Sequence, residues 1–184
     1  MRVISGTAKG RNLQAVPGDS TRPITDRVKE ALFNIFGADI VAARFLDLFG
    51  GTGGVGIEAL SRGAAHAVFI EKNRKAQETI KANLLLTQLS DRAEIVRGDA
   101  FAYLQGVPQP FHYIYIAPPQ YHRLWVDALA LIDERPGWLA EDGEIIVQLH
   151  PREYEAVPLE HFDEIAQRKY SSTVLVFYEH RQEA

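Results

Sequence analysis

Apolar residues recur at two different spacings along this chain, and the switches between them mark out its elements. Val28, Ala31, Leu32, Ile35 and Phe36 follow the i, i+3, i+4, i+7, i+8 pattern of a helix face, with Thr25 placed to cap it. Strands and helices then alternate. Strand Arg44–Phe49 leads to helix Val55–Arg62, and strand Ala67–Ile70 to helix Arg74–Gln88, whose face includes Ala76, Ile80 and Leu84. Strand Ala93–Arg97 precedes a short helix near Phe101–Leu104. Strand Tyr113–Ile116 precedes helix Tyr121–Asp133, and strand Glu144–Leu149 follows Gly143. Such alternation predicts a mostly parallel sheet covered on both faces. The ending departs from it: Glu164–Lys169 and Thr173–Tyr178 are extended runs joined by Ser171-Ser172, a link short enough to require antiparallel pairing. The expected class is α/β, Rossmann-like, with a mostly parallel seven-stranded sheet and a C-terminal antiparallel hairpin. Before the first helix, Arg2–Ile4 and Asn12–Val16 lie around Gly6 and Gly10 and read as a small β-hairpin. Pro17 to Pro23 then forms a turn-rich linker. This divides the chain into a basic hairpin and linker, 1–24, and a main domain, 25–184.

Bulk composition narrows the function classes. With 184 residues, 46% apolar and 24% charged, the chain suits a soluble globular domain. It has no cysteine, which excludes disulfides, thiolate nucleophiles and cysteine-bound zinc. No apolar run reaches the roughly 20 residues that a bilayer span needs, and no apolar signal core opens the sequence. A cytoplasmic protein without a membrane partner is expected. The net charge of −4 is unevenly spread. Residues 1–29 carry six basic side chains (Arg2, Lys9, Arg11, Arg22, Arg27, Lys29) against Asp19 and Asp26, a balance of +4 that leaves −8 for the rest. A basic arm on an acidic body is a phosphate contact or a solvated charged hairpin. The six histidines form no ligand spacing.

The chemistry concentrates where strands end. Phe45–Gly56 runs from an apolar strand through Gly51-x-Gly53-x-x-Gly56 into an apolar helix, the spacing of a nucleotide-binding turn. Glycine permits the turn and the close approach of a ligand, and the helix start offers N–H groups. Glu71 follows Gly51 by 20 residues, at the end of the next strand, where a carboxylate can accept two ribose hydroxyls. An acid at a helix start is also favoured by the dipole. Asp99, on the same rim, suits an adenine amino group or an N-cap. Asp47 sits just before the turn and can orient it or receive an ammonium through water; buried structural use competes. Phe49 fits packing better than ligand contact. Pro118-Pro119 ends an apolar strand abruptly and, with Ala117, leaves carbonyls that can accept from an exocyclic amine beside the aromatic Tyr121.

Together these segments resemble the class I S-adenosylmethionine-dependent methyltransferases, and more narrowly the RsmD family, which methylates guanine N2 in 16S ribosomal RNA. The resemblance covers nearly the whole chain. It rests on Arg2-Val3-Ile4-Ser5-Gly6, Lys9-Gly10-Arg11, Arg22-Pro23-x-Thr25-Asp26-Arg27-Val28-Lys29-Glu30, Leu46-Asp47-Leu48-Phe49-x-Gly51-x-Gly53 and Glu58-Ala59-Leu60-Ser61-Arg62-Gly63-Ala64. It implies S-adenosyl-L-methionine as cofactor, S-adenosyl-L-homocysteine as product, and no metal. The implied cofactor residues are Thr25, Asp47, Phe49, Gly51, Gly53, Glu71, Lys72, Asp99 and Ala100. Gly51 and Gly53 would pass the methionine part, Glu71 would bind ribose, Asp99 adenine, and Thr25 would close over the carboxylate end. Lys9, Arg11, Arg22, Arg27 and Gln120 would face RNA, and Ala117, Pro118, Pro119 and Tyr121 would form the catalytic motif. That motif departs from the family's Asp/Asn-Pro-Pro-aromatic: Ala117 replaces the acid or amide, and Gln120 occupies the aromatic position, with Tyr121 one place later.

Three functions compete on these residues. The first is a monomeric methyltransferase acting on ribosomal RNA or the small-subunit particle by direct in-line transfer. The second is a catalytically impaired RNA-binding or assembly factor that keeps the fold, with a methyltransferase of another nucleic-acid base as a variant of the first. The third, an NAD-dependent oxidoreductase, accounts for the glycine turn and Glu71 but not for the double proline, the basic arm or the closing hairpin.

Overall fold

The computed structural model describes residues 1–18 and 23–182. The chain forms two compact units, Met1–Asp99 and Ala100–Ala184. In the first unit, helix α1 (Asp26–Phe36) precedes strand β1 (Arg44–Asp47), helix α2 (Gly54–Ser61), strand β2 (His66–Glu71), helix α3 (Arg74–Thr87) and strand β3 (Ala93–Arg97). β1 pairs with β2 and β2 with β3, both parallel, with Asp47 opposite Phe69 and Glu71 opposite Arg97. Parallel strands must leave the sheet and return, and α2 and α3 make those crossovers. Phe45, Leu46 and Phe69 from the strands and Leu32, Phe33, Ile57 and Ile80 from the helices are buried. Every residue of α2 is buried, and all but Glu58 and Ser61 are apolar or glycine.

In the second unit, helix α4 (Ala100–Leu104), strand β4 (Phe111–Ile116) and helix α5 (Leu124–Glu134) precede strands β5 (Leu139–Leu149), β6 (Phe162–Tyr170) and β7 (Thr173–His180). β4 and β5 are parallel; β5–β7 and β7–β6 are antiparallel. Trp125, Trp138, Phe111 and Leu175 fill this unit's core, and the Trp138 indole donates to the Leu104 carbonyl at 3.1 Å. All seven expected strands form, parallel through the alternating region and antiparallel at the end, so the expected fold class holds.

Four details differ from the sequence reading. The N-terminal hairpin is reduced to one antiparallel bridge, Arg2 with Asn12: Val3 still bonds across to Gly10 and Arg11, but the N–H groups of Ile4, Ser5, Thr7 and Ala8 bond to α2 instead. The buried face of α1 is Val28, Lys29, Leu32, Phe33 and Phe36, whereas Ile35 is 44% exposed. β5 starts five residues earlier than expected. Gly143 lets it pass an irregularity opposite Phe111–Tyr113, where a Cβ would lie 2.8 Å from the His112 carbonyl oxygen. α5 starts at Leu124 instead of Tyr121, because Tyr121 (φ 68) and Arg123 (φ 53) take left-handed backbone.

Candidate functional site

The glycine turn and Glu71 are joined directly. β1 ends at Asp47, and the chain turns through Gly51 (φ 55) and Gly53 (φ 79) into α2. A Cβ on Gly51 would meet nothing within 4 Å, so the backbone there borders open space. Gly56 serves packing instead, since a Cβ there would lie 2.3 Å from the Phe69 ring. One oxygen of Glu71 accepts the Gly51 N–H at 2.9 Å and the other accepts the Asn73 N–H at 2.8 Å. Each oxygen retains a lone pair for a further donor, so two hydroxyls of a ribose would find a carboxylate already aimed. The Gly98 N–H donates to the Glu71 carbonyl at 3.2 Å, which brings the exposed Asp99 to the same strand end. Lys72, beside Glu71, is exposed.

Asp47 is 2% exposed and its Oδ1 has no hydrogen-bond partner among the described residues. Burial pushes its carboxyl well above the usual carboxylate range, and the nearby Glu71 charge adds to this; backbone N–H groups of Gly56 and Phe49 oppose it in part. A buried carboxylate with an orphaned oxygen beside an open glycine turn fits a ligand that brings a cation. Phe49 is half-buried beside it. Thr25 has a structural role here: its Oγ1 accepts the Val28 N–H at 3.3 Å and caps α1.

The basic arm is fastened to α2 through residues whose part the sequence did not disclose. Glu58 and Lys29 side chains are both 0% exposed and lie 3.3 Å apart. Glu58 also accepts the N–H groups of Ile4 (2.9 Å) and Ser5 (3.1 Å) and the Arg62 Nε (2.8 Å). Lys29 Nζ donates to the Arg2 carbonyl at 2.5 Å. The Ser61 hydroxyl accepts from the Ala8 N–H (2.9 Å) and donates to the Ser5 carbonyl (2.6 Å). Gly6 (φ 87) passes so close that a Cβ would fall 1.8 Å from the Ser61 carbonyl oxygen. The available signal was Glu58 and Ser61 inside an otherwise apolar helix. Lys29 is therefore removed from the basic surface, and Arg2 lies 3.3 Å from Asp26. Lys9, Arg11 and Arg27 are exposed and form no ion pair among the described residues. Arg22 lies outside the described residues.

In the second unit, β4 ends at Ile116 and Ala117-Pro118-Pro119-Gln120 follows, half-buried at 117 and 118 and exposed at 119 and 120. Tyr121 is 68% exposed. Its N–H donates to Glu153, its ring lies 6.3 Å from that of His150, and Arg123 pairs with Glu155 at 2.6 Å. Glu153 is itself held in a capping box with His150. These contacts hold two left-handed non-glycine residues in place. Ala100, a cofactor candidate at the start of this unit, is buried in α4.

Residues 1–179 match the family model described as Conserved hypothetical protein 95. The chain is 46% identical over 158 residues to the Bacillus subtilis (strain 168) protein named "Putative rRNA methyltransferase YlbH", covering 84% of this chain and 85% of that one. It is 36% identical over 148 residues to the Ribosomal RNA small subunit methyltransferase D of Escherichia coli (strain K12), covering 80% and 74%. Among solved structures, the Escherichia coli "Putative methyltransferase yhhF" superposes with a TM-score of 0.85 at 33% identity, covering 100% of this chain and 99% of the other.

Proposed function

The chain belongs to the Conserved hypothetical protein 95 family, that of RsmD, and on that premise we propose that it is an S-adenosyl-L-methionine-dependent ribosomal RNA methyltransferase acting on the exocyclic N2 of a guanine in 16S RNA. The observation that carries this reading is the junction of Glu71 with the Gly51 N–H, together with the orphaned buried oxygen of nearby Asp47.

S-adenosyl-L-methionine supplies a methyl group already activated on a sulfonium. The chain's own residues bind and align. Gly51 leaves room for the donor's approach, Glu71 accepts ribose hydroxyls, and Asp99 accepts from adenine. Asp47 supplies the negative charge that an amino-acid ammonium needs. Carbonyls of the Ala117-Pro118-Pro119 segment accept from the guanine amine, so that its lone pair faces the methyl, and the exposed Tyr121 ring stacks on the base. With the cofactor held by Gly51, Glu71, Asp99 and Asp47, methyl transfer to that amine would leave S-adenosyl-L-homocysteine and release the amine's proton to solvent. Residues 1–24 serve the RNA through Lys9 and Arg11, and residues 25–184 serve the cofactor. The protein works as a monomer in the cytoplasm.

Ala117 favours a second reading, an assembly factor that binds cofactor and RNA without turnover, because it carries no side-chain acceptor. Incubation of naked 16S RNA and of small subunits with methyl-labelled S-adenosylmethionine separates the two. The expected result is label in N2-methylguanosine after digestion. Binding of S-adenosylhomocysteine and RNA with no label in either substrate would establish the second reading.

A further inference from the structure

Asn83 lies on α3, is 0% exposed, and belongs to no expected site. Its side-chain amide uses both donors and its acceptor on two segments distant in sequence. Nδ2 donates to the Thr52 carbonyl of the glycine turn at 2.9 Å and to the Gln14 carbonyl of the arm at 3.1 Å, and Oδ1 accepts the Gln14 N–H at 2.7 Å. The orientation is forced, because the reversed amide would set its oxygen against two carbonyls. Toward Gln14 the side chain thus behaves as a strand neighbour, bonding both backbone groups of one residue. Toward Thr52 it fixes the carbonyl directly after Gly51, where the turn borders open space. The Thr52 hydroxyl in turn accepts the N–H of Gly54, the first residue of α2, at 3.2 Å. A second contact joins the same two segments: a Cβ on Gly54 would fall 2.2 Å from the Met1 sulfur, so Met1 packs on the turn.

We infer that Asn83 is a positioning residue that registers the N-terminal arm against the cofactor turn, so that cofactor and RNA bind as coupled ligands. This rests on the reading above, in which the turn holds S-adenosylmethionine and Lys9 and Arg11 hold RNA phosphates. A ligand that fixes the turn fixes the Thr52 carbonyl, hence the Asn83 amide, hence Gln14. By linkage the ordered arm favours the ligand in return. The arm's other polar anchors, Glu58, Ser61 and Lys29, bond its backbone between Arg2 and Ala8 and do not bond to the turn, and Met1 meets the start of α2 only by packing, so the hydrogen-bonded link between arm and turn is Asn83.

The test is hydrogen–deuterium exchange of residues 1–16 in the full chain, with and without S-adenosylhomocysteine, together with RNA affinity in both states. In the wild type the ligand should slow arm exchange and tighten RNA binding by about tenfold, within the usual range of coupling. Asn83→Ser should still bind S-adenosylhomocysteine while the arm no longer responds, with KM for RNA raised about tenfold and kcat at saturation changed far less. Gln14→Pro, which removes the arm's N–H and leaves α3 and the turn intact, should uncouple in the same way and covers the case that Asn83→Ser fails to fold. Arm exchange and RNA affinity indifferent to ligand in the wild type, or equally responsive in both variants, would overturn the inference alone. Failure of the wild type to bind S-adenosylhomocysteine, or RNA affinity unchanged in Lys9→Glu/Arg11→Glu, would overturn the underlying reading, and the inference with it.

Discussion

At the scale of single residues, the proposed site turns on two positions. Ala117 offers the target amine no side-chain acceptor, and one transition-state hydrogen bond is typically worth about 10²–10³ in rate. Ala117→Asn should therefore raise kcat by about tenfold or more in single-turnover assays, with KM for RNA little changed. An unchanged kcat would mean that backbone carbonyls already suffice. Asp47 is the other position. Because burial raises its carboxyl, the folded chain retains a proton that the unfolded chain gives up between the ordinary carboxylate range and the raised value. Stability falls as pH rises through that window, and the full loss persists above it. Asp47→Asn cannot ionise, so its gain in melting temperature over the wild type should be small at acidic pH and grow to a plateau above the window. Its affinity for S-adenosylhomocysteine should drop by about tenfold or more, in keeping with hydrogen bonds to charged groups. The wild type, not the variant, should bind that ammonium-bearing ligand more tightly as pH rises. The sequence disclosed Asp47 as a candidate because it stands at a strand end before glycines. Its orphaned oxygen is a property of the packed state and is written in no motif.

Among elements, legibility follows the strength of the period. β3 was predicted to the residue, and every crossover helix was found, because alternation between strand and helix patterns leaves few other topologies. α1 was found with three of its five face residues, Val28, Leu32 and Phe36, buried as expected. Its apolar pattern placed Ile35 inside, whereas Lys29 is inside and Ile35 is out, since Glu58 on α2 supplies a partner that makes a buried ammonium tolerable. No local pattern reports a partner 29 positions away. The same ion pair explains the shortened hairpin: a carboxylate that satisfies the Ile4 and Ser5 N–H groups competes with a ladder for them. Burial holds Lys29 below its ordinary range, and Glu58 opposes that shift. Lys29→Met keeps the stem's bulk and deletes the charge, leaving Glu58 with only Arg62 as cation. Urea unfolding should show a loss of about 3 kcal/mol, the usual penalty for breaking one side of a buried pair. Limited proteolysis should cut first within residues 1–16. A loss below about 1 kcal/mol would show that Arg62 alone suffices.

Across the whole molecule the charge is partitioned more sharply than the net −4 suggests. Residues 1–99 hold 14 Lys and Arg against 11 Asp and Glu, a balance of +3, and residues 100–184 hold 6 against 13, a balance of −7. An RNA partner is attracted by the first set and repelled by the second, so binding should depend on a few cations placed outside the acidic half. Within the first 29 residues the count shrinks further, because Lys29 is buried and Arg2 lies against Asp26. The exposed cations there that no acid neutralises are Lys9, Arg11 and Arg27 among the described residues. Counterion release then sets a modest salt dependence, about 0.7–0.9 in log–log slope for each phosphate contacted. Neutralising the three as Lys9→Gln, Arg11→Gln and Arg27→Gln should flatten the slope of RNA affinity against salt by about two. It should leave S-adenosylhomocysteine affinity intact, since among the described residues none of the three side chains forms a hydrogen bond or ion pair with the glycine turn or Glu71. A triple variant with the wild-type slope would place the RNA-contacting cations elsewhere. The cluster Lys72, Arg74 and Lys75 at the start of α3, beside Glu71, is exposed and would be the next set to neutralise.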